Sequence, residues 1–212
     1  MKQVKWLFFD VGGTLVDETD SFRRRVLQTI AIQKNLGNIY TPEYLEKAMR
    51  ESALAGGSYF RGAMKNLGIF NFAPYDCIGE RLYPDAKAVL ETLCCRYSLG
   101  IIANQPAGTV KRLSEYGVGH LFALIFSSAE EGIEKPDPAL FLRAIRGAGC
   151  EPSEICMIGD RPDNDIAPAK SLGMKTVRIA QGLGGLMPVR DASMQADRTA
   201  GSLRELLEIF DI

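Results

Sequence analysis

Histidine is nearly absent: His120 is the only one in 212 residues. Flanked by Gly119 and Leu121-Phe122, it reads as a loop-edge residue, and no Ser-His-Asp or Cys-His constellation can be built around it. The five cysteines (Cys77, Cys94, Cys95, Cys150, Cys156) are odd in number and never spaced C-x-x-C. That excludes zinc or dithiol chemistry of that spacing and fits a reducing, cytoplasmic compartment. An excess of charge of one sign is also missing. With 25 Lys+Arg against 26 Asp+Glu, no global field draws the chain to nucleic acid or to an anionic membrane. Long apolar runs are missing as well: the first, Trp6-Leu7-Phe8-Phe9, is closed by Lys5 and Asp10, far too short for a signal-peptide core or a membrane span. No internal repeat or low-complexity segment is found.

What the chain does have is an alternation of short apolar runs with amphipathic stretches. Val4–Phe9 ends at Asp10, Leu99–Ala103 at Asn104, Leu124–Phe126 at Ser127, and Ile155–Ile158 at Gly159-Asp160. Each reads as a buried strand closed by polar or glycine residues. Between them, Ala86, Val89, Leu90, Leu93 and Tyr97 share one helix face, with Asp85 placed to cap it. Cys94 and Cys95 extend that helix, so at least one is expected to face the core. Asp137-Pro138 opens another helix, with Phe141, Ala144, Ile145 and Ala148 as its stripe, and a last helix spans about 202–210. The pattern predicts an α/β fold, a doubly wound parallel sheet. Residues 17–81 interrupt it with three helical segments (22–34, 42–55 and 59–67) and no buried strand. The expected organisation is a core of residues 1–16 and 82–212 and an inserted helical cap of residues 17–81.

Doubly wound sheets place chemistry at the carboxyl ends of their strands. Asp10 and Asp160 each end a predicted strand, and Asp165 opens the following helix. Three converging carboxylates repel one another in a partly desolvated crevice unless a hard divalent cation sits among them, and oxygen-only ligands favour Mg2+. Lys135-Pro136 adds a cation whose backbone the proline keeps out of a helix, suited to binding phosphate.

These motifs, in order and spacing, resemble the haloacid dehalogenase superfamily, most of whose members are Mg2+-dependent phosphatases. Phe9-Asp10-Val11-Gly12-Gly13-Thr14-Leu15 resembles its first motif, Lys135-Pro136 its third, and Gly159-Asp160-Arg161-Pro162-Asp163-Asn164-Asp165 its fourth. The resemblance covers nearly the whole chain, including the cap placed after the first motif. It implies that Asp10 attacks phosphorus to form an aspartyl-phosphate and that Lys135 neutralises the remaining charge. It also implies that Mg2+ is held by Asp10, Asp160 or Asp165 through water, and the carbonyl of Gly12. Thr14, Asn104 and Gln105 fall in positions that bind substrate, and Arg161 and Asp163 in positions that orient the metal ligands. The cap is expected to open and close about connections near Val16 and Arg81.

Two positions depart from the pattern. The carboxylate that the family carries two residues after the nucleophile is Gly12 here, which has no proton to give; general acid–base help is typically worth about 10²–10⁴ in rate. A hydroxyl expected at the end of the second core strand is Ala103. Three readings stay open: a phosphatase of small phosphorylated metabolites, restricted to good leaving groups or helped by an acid from the cap; a binding or regulatory protein with little turnover; and a dehalogenase or phosphonatase. The last would require a cap lysine, of which Lys34, Lys47 and Lys65 are available. In the cap, Arg23-Arg24-Arg25 reads as a solvated helix face, with the alternative that one of these arginines, Arg23 among them, holds an anionic leaving group. Arg61, after the broken turn at Gly56-Gly57, is the other candidate.

Overall fold

The fold is described from a computed structural model covering residues 3–212. Its centre is β1 (Trp6–Phe9), which pairs in parallel with β4 (Ser98–Ala103) on one side and β6 (Ile155–Gly159) on the other. Leu7 and Phe9 point to one face and Phe8 to the other, and all three are fully buried, so this strand must have cover on both sides. The chain supplies it by winding outward twice. After β2 (Val16–Asp17), helices α1 (Thr19–Asn35), α2 (Pro42–Leu54) and α3 (Tyr59–Asn66), and β3 (Arg81–Leu82), it runs through α4 (Ala86–Leu93), β4 (Ser98–Ala103), α5 (Thr109–Glu115), β5 (Phe122–Ser127) and α6 (Ser128–Glu131). It then passes through α7 (Pro138–Ala148) to the other flank of β1: β6 (Ile155–Gly159), a wide π-helical turn (Pro162–Ile166), α8 (Ala167–Ser171), β7 (Lys175–Ile179), β8 (Arg198–Ala200) and α9 (Glu205–Ile209). The sheet order is β5-β4-β1-β6-β7-β8, all parallel.

One apolar layer joins Leu7, Phe9, Leu99, Ile101 and Ile158 to α4 and α9; the other joins Phe8, Ile102 and Met157 to Leu140, Phe141 and Ala144 of α7. The Phe8 ring lies over Gly100, where a Cβ would stand 2.3 Å from it. Asp137 caps α7 as expected, its carboxylate accepting from the Ala139 amide at 2.8 Å. Asp85 does not cap α4: its backbone is helical and its side chain makes no capping bond, because the helix is entered through a turn from Tyr83. Cys94 and Cys95 are both exposed, with sulfurs toward the Glu91 carbonyl, since α4 ends at Leu93. The last helix is shorter than expected because Glu205 turns back to the Gly201 amide.

Strands β7 and β8 escaped the sequence reading. Lys175 and Arg178 interrupt the apolar run of β7, yet Arg178 is buried with its guanidinium donating to the carbonyls of Gly184, Gly185 and Met187. Helices α1–α3 enclose an apolar cluster of their own, Val26, Leu45, Met49, Phe60, Ala63, Met64 and Ile69. Their two ends meet in the antiparallel ribbon β2–β3, where Arg81 bonds Asp17 and Asp20 at 3.0 and 2.5 Å. Among the described residues, no helix is long and apolar enough to cross a membrane.

Candidate active site

The carboxyl ends of β1, β4 and β6 meet at one crevice, and three carboxylates enter it. Asp10 follows β1, its amide extending the ladder to Ile158 O at 2.8 Å. Asp160 follows β6. Asp165 is brought back by the π-helical turn, where its Oδ2 accepts from the Arg161 amide at 2.9 Å. Ligand atoms of the three lie within 4.8 Å of one another, and all three residues are buried. Glycine makes this approach possible. Gly13 has φ +72°, and a Cβ there would stand 2.5 Å from Asp160 Oδ2, so only a residue without a side chain lets the loop fold over the carboxylate.

Lys135 is the counter-charge. Its buried ammonium donates to Asp10 Oδ1 at 2.7 Å, Asp165 Oδ1 at 2.5 Å and the Ile102 carbonyl at 2.9 Å. The Lys135–Pro136 peptide is cis, and Lys135 is clamped by Asn104, whose amide accepts from its N–H at 2.7 Å and donates to its carbonyl at 2.8 Å. Burial opposes the charge of Lys135, but Asp10 and Asp165 hold it above the ordinary lysine value. Burial lifts Asp165 to about 6 against the pull of Lys135, with the charge of Asp10 adding to the lift. Burial, then the charges of Asp165 and Asp10, hold Asp160 well above the carboxylate range. Asp160 Oδ1 is buried without a hydrogen-bond partner, while its Oδ2 accepts from the Tyr59 hydroxyl of α3 at 2.8 Å. Three carboxylates against one ammonium, with an orphaned carboxylate oxygen, form an oxygen donor set matched to a hard divalent cation.

A cavity of about 430 Å³ opens over this cluster, lined by Asp10, Gly12, Lys135 and Asp165 together with Arg61, Asn104 and Gln105. The other expected residues are elsewhere. Thr14 is fully buried and lines neither this cavity nor the one beside it, because the tight loop from Val11 to Val16 turns it into the core. Arg23 faces an adjoining cavity of about 470 Å³ that contains Asp160 but not Asp10. The amide of Asn104 is occupied by Lys135, and Gln105 Oε1 accepts from Arg112 at 3.0 Å. Lys34, Lys47 and Lys65, the cap lysines a phosphonatase would draw on, are exposed and line neither cavity.

The arginine run is not a uniformly solvated face. Arg24 pairs with Asp76, whereas Arg25 is buried, 3.8 Å over the Phe60 ring, with its Nε donating to Ala73 O. Burial, with Arg61 nearby, lowers Arg25 to about 10. Arg161 forks onto Asp163 at 3.1 and 2.6 Å. Arg25, a member of the arginine run weighed in the sequence, lines the cavity, as do residues the sequence does not single out: Tyr59, Ser128, and the pair Glu18 and Tyr75. Ser128 places a hydroxyl at the mouth of the crevice, near the strand end where Ala103 has none, bonded to the Gln105 amide at 3.1 Å. Glu18 approaches Gly12 so closely that a Cβ at Gly12 would stand 2.6 Å from its carboxyl. Burial, opposed by the Tyr75 hydroxyl and reinforced by Glu80, pushes Glu18 up to about 8.

Comparison with known proteins agrees with this geometry. Residues 4–173 match the family model of haloacid dehalogenase-like hydrolases. A glyceraldehyde 3-phosphate phosphatase of Methanopyrus kandleri is 38% identical over 97% of each chain. A phosphoserine phosphatase of Thermus thermophilus is 36% identical over 59% of this chain, which spans about half (49%) of that relative's length. The crystal structure of a HAD phosphatase from Thermococcus onnurineus superposes with a TM-score of 0.70 at 28% identity, covering 98% of both chains. With the parallel sheet, the carboxylate cluster and the buried lysine at their expected places, the chain belongs to the haloacid dehalogenase-like hydrolases.

Proposed function

We propose that the protein is a Mg2+-dependent phosphatase of small phosphorylated metabolites that works through an aspartyl-phosphate on Asp10. The observation that carries this reading is the contact of Asp10 Oδ1 with Lys135 Nζ at 2.7 Å, at a strand end inside a crevice large enough for a small ester. Relatives named as phosphatases support it. Asp10 supplies a carboxylate oxygen to phosphorus. Lys135 holds that carboxylate in one orientation and supplies positive charge where the phosphoryl oxygens gather. Arg25 and Arg61 give the cap side of the crevice positive charge toward the rest of an anionic substrate. Asp10, Asp160 and Asp165 would hold Mg2+, whose chemistry is to offset the repulsion between nucleophile and phosphate.

The test is hydrolysis of p-nitrophenyl phosphate by the purified protein with and without Mg2+. Turnover that appears with the ion and is lost on chelation is expected; silence across a panel of phosphate esters would favour the low-turnover binding protein, and halide release from a 2-haloacid without metal would favour a dehalogenase.

The cluster also sets a pH dependence. Asp165 takes up its proton near pH 6 in the folded protein and near pH ~4 when unfolded. Between those values the folded state binds the extra proton, so stability falls as pH rises, and above about pH 6 the cost of the ionised cluster is fully present. A divalent ion relieves that cost only where the carboxylates are ionised. Mg2+ is therefore expected to raise the melting temperature more at pH 7.5 than at pH 5; an equal gain at both would count against ion uptake by these carboxylates.

A further inference from the structure

Glu18 is the residue that the crevice holds without an assigned task. It stands between β2 and α1, lines the same cavity as Asp10 and Lys135, and presses its carboxyl onto the face of Gly12, two residues after Asp10. The other carboxyls of that cavity are otherwise engaged: Asp10 and Asp165 are bonded to Lys135, and Glu134 is exposed to solvent.

The surroundings of Glu18 hold a proton by simple counting. The Tyr75 hydroxyl lies 2.8 Å from Glu18 Oε1 and 2.7 Å from Glu80 Oε1. One hydroxyl hydrogen cannot serve two carboxylates, so one of the two carboxyls keeps a proton of its own and donates it to the phenol oxygen. Glu80 has further donors turned toward it. Its side chain is 1% exposed, its Oε2 accepts from the Tyr116 hydroxyl at 3.0 Å, and Arg112 Nε is 3.9 Å away. Among the described residues no cation is bonded to Glu18, which opens onto the cavity.

We propose that Glu18 is the acid–base group of this site, with Tyr75 and Glu80 as the residues that position it. The proposal rests on the phosphatase reading. As Asp10 forms its bond to phosphorus, the bond from phosphorus to the leaving oxygen breaks and its electron pair stays on that oxygen. Glu18 O–H transfers its proton there, releasing an alcohol and leaving Glu18 as carboxylate. Water then attacks phosphorus and gives one proton to Glu18 while the electron pair of the breaking P–O bond returns to Asp10. Inorganic phosphate departs, and both side chains are as they began.

The experiment uses the full chain with Mg2+ and two substrates: p-nitrophenyl phosphate, whose phenolate leaves unaided, and glycerol phosphate, whose alkoxide does not. Glu18→Gln is expected to lose about 10²–10⁴-fold on glycerol phosphate. On the aryl ester it should give a burst of about one nitrophenolate per enzyme and then slow release, because the second step lacks its base. Equal losses on both substrates without a burst, or undiminished hydrolysis of glycerol phosphate, would overturn the assignment. A second construction covers a Gln variant that folds poorly. Glu18→Ala opens the space above Gly12, and Gly12→Asp in that background returns a carboxyl from the strand side. Recovery of glycerol phosphate hydrolysis supports the proposal, and no recovery in a folded double variant counts against it. A wild-type protein inert to both esters would remove the phosphatase reading itself, whereas an active wild type matched by its Gln variant would remove Glu18 alone.

Discussion

Asp10→Asn should lower aryl phosphate hydrolysis by about 10³-fold or more while leaving the protein folded. The substitution preserves the shape of the side chain but takes away the anionic oxygen that meets phosphorus, so no covalent intermediate forms. Folding should survive because Asp10 is one of three mutually repelling carboxylates within 4.8 Å, and neutralising it relieves Asp160 and Asp165. Lys135 keeps its bonds to Asp165 and Ile102. The measurements are the initial rate and the intact mass of acid-quenched protein, in which wild type but not the variant carries a phosphoryl group. Activity that persists in Asp10→Asn would place the nucleophile elsewhere.

Lys135→Met should produce the largest loss of stability of any single change in the crevice. Methionine fills the channel left by the four-carbon stem, so little cavity energy enters. The cost comes from Asp10 and Asp165, two buried carboxylates deprived of their shared cation. Removing one partner of such a pair typically costs about 3–5 kcal/mol, which in a chain of this size corresponds to a fall of roughly 6–20 °C in melting temperature. The loss should shrink toward pH 5, where Asp165 accepts a proton, and Mg2+ should restore part of it at pH 7.5. A variant that melts within a degree or two of wild type at neutral pH would show that the ammonium is not what holds these carboxylates.

Much of this site could be read from the sequence because chemistry and strand ends coincide. Asp10 and Asp160 each terminate a dense apolar run, and such a run has only one interpretation in an alternating α/β chain. The four foreseen strands share that property. Strand β7 did not, because Arg178 satisfies its charge on three loop carbonyls that no local pattern reveals, and β8 has a single buried residue. Arg25 misled for the opposite reason: an arginine triplet reads as solvent-facing until the Phe60 ring and the Ala73 carbonyl arrive from distant positions. Glu18 was the hardest to see. It sits in Asp17-Glu18-Thr19-Asp20 at the start of a helix, where acidic residues are common for their interaction with the helix dipole. Its distinction from its neighbours depends on Tyr75 and Glu80, about sixty residues away in sequence.

The lysine in the crevice has a last consequence. An ammonium carries three hydrogens, and all three of those on Lys135 are committed, to Asp10, Ile102 and Asp165. On the phosphatase reading, an incoming dianion must therefore compete with these three acceptors for a hydrogen, and where Asp10 yields it, a lone pair on Oδ1 is freed. On the proposed reading, one oxygen of the nucleophile, Asp10 Oδ1, rests against the same cation that would receive the substrate, so electrophiles without negative charge, such as simple alkylating agents, are expected to meet a carboxylate with that oxygen already engaged.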